Sequence, residues 1–403
     1  MPEPGRVRIP LRRHIGAPCV PVVKAGDEVC AGQKIADSGE FVSAPVHASI
    51  TGRVAEVTDE FIVVDGNGKV VAPPVSARHY DDLSPREIIE IVREAGIVGM
   101  GGAAFPAHVK LTPPEGRTFE CVILNGAECE PYLTIDERML IEQPEKILYG
   151  LCALLKATGA VRGYIGIESD KAEALRIMEE AVSGHEAIEV VPLKVVYPQG
   201  GEKMLIKSIL GREVPVGGLP VDVGVLVHNV GTAVAVADAV GEGKTLYERG
   251  ITVTGRGVKR PGNLSVRIGT SFRDIIDFCG GLTEDAARVI AGGPMMGRAV
   301  AGLDEVVTKG TSGILVLPEQ EIGLVEERVC IRCGKCVDSC PMLLTPNNYA
   351  VCSRQHLLEE ARKLNILNCI ECGCCDYVCP SKIPLVHLIR QCKDEIASEK
   401  RKK

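Results

Sequence analysis

The sequence predicts a multidomain chain of α/β plus β architecture that ends in a helical, cysteine-rich module. Three observations carry that expectation. Short β-branched runs broken by glycine turns fill residues 1–75, strands alternate with helices over 96–245, and 11 of the 17 cysteines fall between Cys330 and Cys392. At 403 residues the chain has room for two or three domains of roughly 150 residues each.

Composition narrows the possible functions. Aromatic residues make up 3%, Trp is absent and the formal net charge is −7. Such a chain lacks the stacking platforms and positive field that nucleic acid requires, so no nucleic-acid partner is expected. Residues 1–13 show no apolar leader. The most membrane-like stretch, 221–240, is interrupted by Asp222, His228, Asn229 and Asp238 and is not expected to span a bilayer. A cytosolic chain follows, one that can still dock on a membrane complex.

The elements read in order as follows. Strands are expected around Val20 to Val23 and Phe61 to Val64, with turns at Gly26, Gly32, Gly52 and Gly66. Pro73 and Pro74 mark a linker. A helix starts at Pro85, with Ser84 as N-cap and Glu87 closing a capping box, and Gly96 stops it. Strands at 121–124 and 163–167 alternate with helices at 144–158 and 171–182, the pattern of an α/β domain. Residues 250–300 form a small β-plus-helix module whose helix starts at Ser271. A connector is expected to follow, then the cysteine-rich segment from Glu326. The basic run 400–403 reads as a solvated, disordered tail.

The cysteine spacing is the most specific signal. Cys330, Cys333, Cys336 and Cys340 form one C-x-x-C-x-x-C-x-x-x-C-P run, and Cys369, Cys372, Cys375 and Cys379 form a second. This is the spacing of two-cluster ferredoxins, where three thiolates hold one cubane and the fourth reaches the other. Cys330, Cys333, Cys336 and Cys379 are therefore assigned to one [4Fe–4S] cluster, and Cys369, Cys372, Cys375 and Cys340 to the second. A zinc site would use two pairs for four ligands; two full runs, each followed by proline, favour the cubanes. Cys374 is out of register and reads as a bystander. Cys19, Cys30, Cys121, Cys152, Cys279, Cys352 and Cys392 read as buried thiols.

Gly99-Met-Gly101-Gly102-Ala-Ala formally fits a dinucleotide fingerprint, but a helix rather than a strand precedes it, which disfavours a Rossmann reading. The wider set is more informative: Phe105 and Lys110, Asn125-Gly-Ala-Glu128-Cys-Glu130-Pro, Tyr197-Pro-Gln-Gly200-Gly201-Glu202, and His228-Asn229-Val-Gly-Thr232. Glycines let backbone N–H groups approach a phosphate, and Lys110 can neutralise it. Asn125 and Asn229 can bond a polar ring edge, and Glu128 can bind ribose hydroxyls.

These segments resemble the flavin- and NADH-binding subunit of respiratory complex I and, more closely, the RnfC family of the Rnf electron-transport complex. Over nearly the whole chain the resemblance implies FMN as cofactor, NADH as substrate, and a peripheral place on the cytoplasmic face of a membrane complex. Its partners would be the membrane-embedded and peripheral subunits, with ferredoxin reached indirectly. Carried over by position, Gly99, Gly101, Gly102, Phe105 and Lys110 would wrap FMN. Asn125, Tyr197, Gly200, Asn229 and Thr232 would complete the pocket, and Glu128 and Glu202 would face NADH. Ala104, Ala127 and Gly201 depart from the complex I pattern, which has Gly, Asp and Glu there.

The outer modules also carry resemblances. Residues 17–57 look like a lipoyl-type barrel-sandwich hybrid without the carrier lysine, a shell used for docking. Residues 250–300 resemble a soluble-ligand-binding β-grasp (SLBB) module, in which Met295 and Met296 read as packing rather than as a cobalamin contact. The expected domains are therefore 1–75 (barrel-sandwich), 80–245 (FMN/NADH), 248–300 (SLBB), 301–325 (connector) and 326–403 (two [4Fe–4S] clusters). Three functions fit: an NADH-oxidising flavoprotein of an Rnf complex; a cobalamin reductase or proline-reductase-associated electron-transfer flavoprotein; and a non-enzymatic iron–sulfur wire.

Overall fold

A computed structural model describes residues 1–12, 14–68, 78–323 and 326–402. The expected linker at Pro73 and Pro74 and the last residue of the basic tail lie outside them. The N-terminal module contains β1 (Arg6–Pro10), β2 (Val20–Pro21), β3 (Glu28–Val29), β4 (Lys34–Asp37), β5 (Val46–His47), β6 (Gly52–Val57) and β7 (Phe61–Gly66). They form two antiparallel sheets, ordered β1-β7-β6-β3 and β2-β4-β5. Alternation along β1 buries Val7 and Ile9 and exposes Arg6 and Arg8. The tip between β4 and β5, where a carrier lysine would sit, is docked in cis. His108 Nε2 lies 2.9 Å from the Phe41 carbonyl, and Lys34 pairs with Glu94 at 2.5 Å.

The second module opens with α1 (Pro85–Glu94), and its reciprocal Ser84–Glu87 capping box forms as the sequence predicts. After α2 (Ala107–Leu111) come β8 (Cys121–Gly126), α3 (Ile135–Glu142), α4 (Pro144–Thr158), β9 (Arg162–Glu168), α5 (Ala172–Ala181), β10 (Ile188–Leu193), α6 (Glu202–Leu210), β11 (Val225–Asn229) and α7 (Val230–Glu242). The sheet is parallel, ordered β10-β9-β8-β11. Apolar residues cover both faces, as a parallel sheet between helices requires. Val122, Leu124 and Leu226 join the large core shared with the N-terminal barrel, whereas Cys121, Ile123 and Val227 face a second core that includes Leu205 and Ile206. The apolar stretch 221–240 thus becomes an inner strand and a buried helix. Among the described residues no helix is long and apolar enough to cross a membrane. Helices α4 and α7 pack so closely that a Cβ on Gly150 would strike the Ala233 backbone.

The third module holds β12 (Glu248–Thr254), β13 (Gly262–Arg267), α8 (Phe272–Phe278), β14 (Ala286–Ala291), β15 (Arg298–Ala299) and β16 (Gly313–Pro318), ordered β13-β12-β16-β14-β15. The sheet runs past the expected boundary at 300. Part of the predicted connector is the central strand β16, parallel to β12 and antiparallel to β14. Burial of Ile314, Leu315 and Val316 explains why that apolar run forms a strand.

The last module is helical: α9 (Lys335–Asp338), α10 (Pro346–Arg354), α11 (Leu358–Lys363), α12 (Cys374–Val378) and α13 (Leu385–Lys402). The helix α13 carries the backbone of the basic run through Lys402, so that run is not an unstructured tail. Cys352 and Cys392 are buried as expected; Cys30 is exposed and Cys152 only half-buried, contrary to expectation.

Three modules meet at a buried ammonium. Lys309 Nζ donates to the carbonyls of Pro45 and Gly96, each at 2.6 Å, and its own carbonyl accepts from Arg249. Burial pulls the Lys309 pKa down to about 8. The unfolded chain, with lysine near its ordinary value of 10.5, then binds more protons than the folded chain above about pH 8, so this residue makes stability rise with pH across that window. Lys309→Met is expected to flatten that rise relative to the parent in denaturant melts between about pH 8 and 10.5. An unchanged pH slope would contradict it.

Candidate active site

The strands β8 and β11 are adjacent, but the chain leaves β8 toward β9 on one side and reaches β11 on the other. The order therefore reverses between them, and ligands of open α/β sheets bind at the carboxyl ends of the strands at such a point. Asn125 and Asn229 stand there as register partners. The backbone of 99–102 arches nearby. Gly99 N donates to Phe105 O at 2.8 Å, and Met100 N donates to the buried Thr232 hydroxyl at 2.9 Å. Gly101 takes a φ of 75° and stands so close to Asn229 that an added Cβ would lie 3.0 Å from its Nδ2; around Gly102 nothing lies within 4 Å. The two glycines are exposed. Ala104, where the complex I pattern has glycine, keeps the left-handed backbone at φ 53°.

The predicted polar residues converge, but most of their groups already hold protein. Asn125 Nδ2 donates to Gly200 O at 2.8 Å while its Oδ1 accepts from Ala127 N at 3.1 Å. Asn229 Oδ1 accepts from Gly231 N at 2.8 Å, and its Nδ2 donates to Asp136 at 2.6 Å. Lys110 Nζ, expected on a phosphate, donates to Glu202 at 2.8 Å and to Val227 O at 2.7 Å. Glu128, expected on ribose, caps α3 by accepting from Asp136 N at 2.9 Å and Glu137 N at 3.2 Å. Burial and the neighbouring Asp136 carboxylate push its pKa up to about 8.

Two residues went unassigned in the sequence. Asp136 anchors Asn229, but an acidic residue in the first turn of a helix is ordinary and carried no flag. Cys129 accepts from Gly200 N at 3.2 Å. The donor set suits an anionic, polar-edged ring cofactor. A glycine backbone lies open to solvent, and Gln199 Nε2 and His228 Nε2, each one residue along the chain from a site residue, are buried without a partner. Buried polar atoms without partners call for an explanation such as a missing ligand.

The structure brings one set of the cluster thiols together. Cys340, Cys369, Cys372 and Cys375 line one cleft, together with Tyr349 and Cys374. Cys374 is thus in the lining rather than remote from it. Cys336 has Cys379 as a charge neighbour, while Cys330 and Cys333 are exposed. Among the described residues no three His, Cys, Asp or Glu side chains converge tightly enough for one metal ion; these thiols ring a space instead. Cys340 together with Cys369, Cys372 and Cys375, one thiol from one run and three from the other, suits one cubane.

The two halves touch. The Tyr197 hydroxyl donates to the carbonyl of Cys372 at 2.6 Å, and a Cβ on Gly201 would sit 3.5 Å from Ile370 Cδ1. Burial raises the Tyr197 pKa and keeps the phenol a donor.

The fold and this site define a flavin-type α/β domain joined within one chain to a dicluster iron–sulfur domain. Four family descriptions match in succession: the RnfC barrel sandwich hybrid domain over 1–72, the Nuo51 FMN-binding domain over 92–238, the SLBB domain over 251–299 and the 4Fe-4S dicluster domain over 327–383. The C subunit of the proton-translocating ferredoxin:NAD(+) oxidoreductase complex of Clostridium ljungdahlii is 47% identical, covering 98% of this chain and 89% of its own. The corresponding C subunit of the Na(+)-translocating complex of Acetobacterium woodii is 44% identical over 99% and 93%. The C subunit of an ion-translocating oxidoreductase complex of Rhodobacter capsulatus is 41% identical over 100% and 80%. The chain belongs to the RnfC family, the C subunits of ion-translocating ferredoxin:NAD(+) oxidoreductase (Rnf) complexes. In fold it also resembles a chain in the crystal structure of an NAD+-reducing [NiFe]-hydrogenase in the H2-reduced state, with a TM-score of 0.55 at 21% identity over 77% of this chain and 63% of that one.

Thr232→Val is expected to lower the unfolding free energy by about 1–3 kcal/mol, because it strands the buried Met100 N–H, and to let FMN escape more readily. Denaturant melts and flavin retention on gel filtration check this; parental values in both would refute it.

Proposed function

We propose that this chain is the NADH-oxidising FMN and iron–sulfur subunit of an ion-translocating NADH:ferredoxin complex, exchanging electrons between NADH and two [4Fe–4S] clusters in either direction. The observation that carries this reading is the bond from Tyr197 to the Cys372 carbonyl, which puts candidate flavin and cluster residues in direct contact. When bound, FMN would accept the two electrons of a hydride and hand them on singly. Oxidation of one NADH yields NAD+, one proton and two electrons, one for each cluster.

The chain's own residues would position the partners. The open backbone of Gly101 and Gly102 would admit the phosphate and ring, with Thr232 holding that arch in place. Lys110 would trade its bond to Glu202 for the phosphate, freeing Glu202 to face NADH. Cys340, Cys369, Cys372 and Cys375 would hold the cluster next to Tyr197. Cys330, Cys333, Cys336 and Cys379 would hold the one nearer the surface, where the exposed Cys330 and Cys333 favour electron exchange with other subunits. The chain would sit peripherally on the cytoplasmic face of the membrane complex, reaching ferredoxin through its partners. Relatives similar over the full length are complex subunits, which favours this reading over cobalamin or proline-linked electron transfer.

Anaerobically purified protein is expected to release FMN on denaturation, to carry iron for two cubanes, and to bleach on NADH addition. Full iron with no bleaching even after added FMN would leave only the electron-wire reading. Glu128 caps α3 and is held largely uncharged at neutral pH, so it is not set to repel a 2′-phosphate. Glu128→Gln is expected to leave the preference for NADH over NADPH unchanged, and a relaxed preference in steady-state kinetics would return Glu128 to the ribose.

A further inference from the structure

The Gly292-Gly-Pro-Met-Met-Gly297 loop of the β-grasp module is not used by the function above. In the structure it is wedged between the flavin-type domain and the cluster loop. The Glu130 carboxylate, at the end of the Asn125 to Pro131 motif, accepts two consecutive backbone amides of the loop: Met295 N at 3.1 Å on Oε2 and Met296 N at 2.7 Å on Oε1. The fit leaves no slack. A Cβ on Gly293 would run into the same carboxylate. On its far side the loop bears on the cluster segment, where a Cβ on Gly373 would lie 2.8 Å from Met295 O. Gly373 follows Cys372, whose carbonyl Tyr197 holds. The segment from Ile370 to Gly373 is thus gripped by Tyr197 and Gly201 on one side and by the methionine loop on the other.

We propose that Glu130 and the loop 292–297 form a clamp that sets the distance and orientation of the Cys340/Cys369/Cys372/Cys375 cluster relative to the flavin pocket. Glu130, Met295 and Met296 are positioning residues for internal electron transfer. The inference rests on the flavin and cluster reading above and deepens it. A charged acceptor with two amides gives a stiff, directional link, and electron tunnelling falls steeply with separation. A small displacement of the cluster loop therefore slows transfer without touching a ligand. The methionines then serve through their backbone and need contribute no soft-metal or cobalamin contact.

The test compares full-length anaerobic parent with Glu130→Ala, Glu130→Gln and, from the opposite side, Gly373→Ala. Three quantities are read: FMN and iron content, the rate of NADH-driven cluster reduction divided by the same protein's NADH–ferricyanide rate, and the EPR spectrum of the dithionite-reduced clusters. Division by the ferricyanide rate cancels any change in NADH handling at the flavin. With iron and FMN retained, that ratio is expected to fall severalfold in Glu130→Ala and in Gly373→Ala. Glu130→Gln, which keeps one acceptor oxygen, falls less. The cluster spectrum shifts in the two severe variants. If Glu130→Ala loses iron, Glu130→Gln and Gly373→Ala carry the comparison. Parental ratios and spectra in every variant that retains iron would overturn the clamp. Failure of the flavin reading registers elsewhere, as a parent that does not reduce ferricyanide with NADH, while the dithionite spectra still read the clamp.

Discussion

A single hydrogen bond between distant parts of the chain, from the Tyr197 hydroxyl to the Cys372 carbonyl, ties the chemistry of this protein together. Tyr197 lies beyond the carboxyl end of β10, in the loop that leads into α6. Cys372 lies in the middle of a cluster run. Each region has its own core, the parallel sheet between two apolar layers and the cluster module around Tyr349, Cys352, Ile389 and Cys392. The bond requires the two to be held in one register, and much of the remaining architecture supplies that register.

The β-grasp module supplies part of it by standing between the other two. The large shared core supplies more, since the N-terminal barrel and the flavin-type domain contribute to one continuous apolar cluster. Polar links then fix the arrangement that apolar burial alone leaves loose. The buried Lys309 ammonium chooses two specific carbonyls, one in each neighbouring module. A buried charge stabilises only where its partners are supplied, so the junction has one arrangement that satisfies it.

What was legible in the sequence follows from how local each signal is. The capping box at Ser84 and Glu87, the helix Pro144–Thr158 and the two cysteine runs are set by neighbours a few residues apart, and the structure carries them at the expected positions. Cys340 lines the same cleft as the thiols of the second run, as expected where three thiolates exhaust the reach of one run. The strand β16 was hidden because its partners β12 and β14 lie across long loops, and nothing periodic announces a central strand. The roles of Asp136 and Glu130 were illegible for a related reason. A carboxylate whose donor lies far along the chain, the Asn229 side chain for Asp136 or the Met295 and Met296 amides for Glu130, looks in sequence like any other acidic residue.

The barrel of residues 1–68 is made before the module that secures it. Besides the Pro45 carbonyl held by Lys309, its Ser49 hydroxyl donates to Ile268 O at 2.5 Å, and its Arg8 N donates to Gly269 O at 2.9 Å. During synthesis those anchors do not exist until residues 268–309 have left the ribosome, so the nascent barrel must wait for them. Domains generally fold in order of emergence. Here the barrel depends on a later module to complete its seat, and a translation product ending before Lys309 would lack the ammonium that joins Pro45 to Gly96.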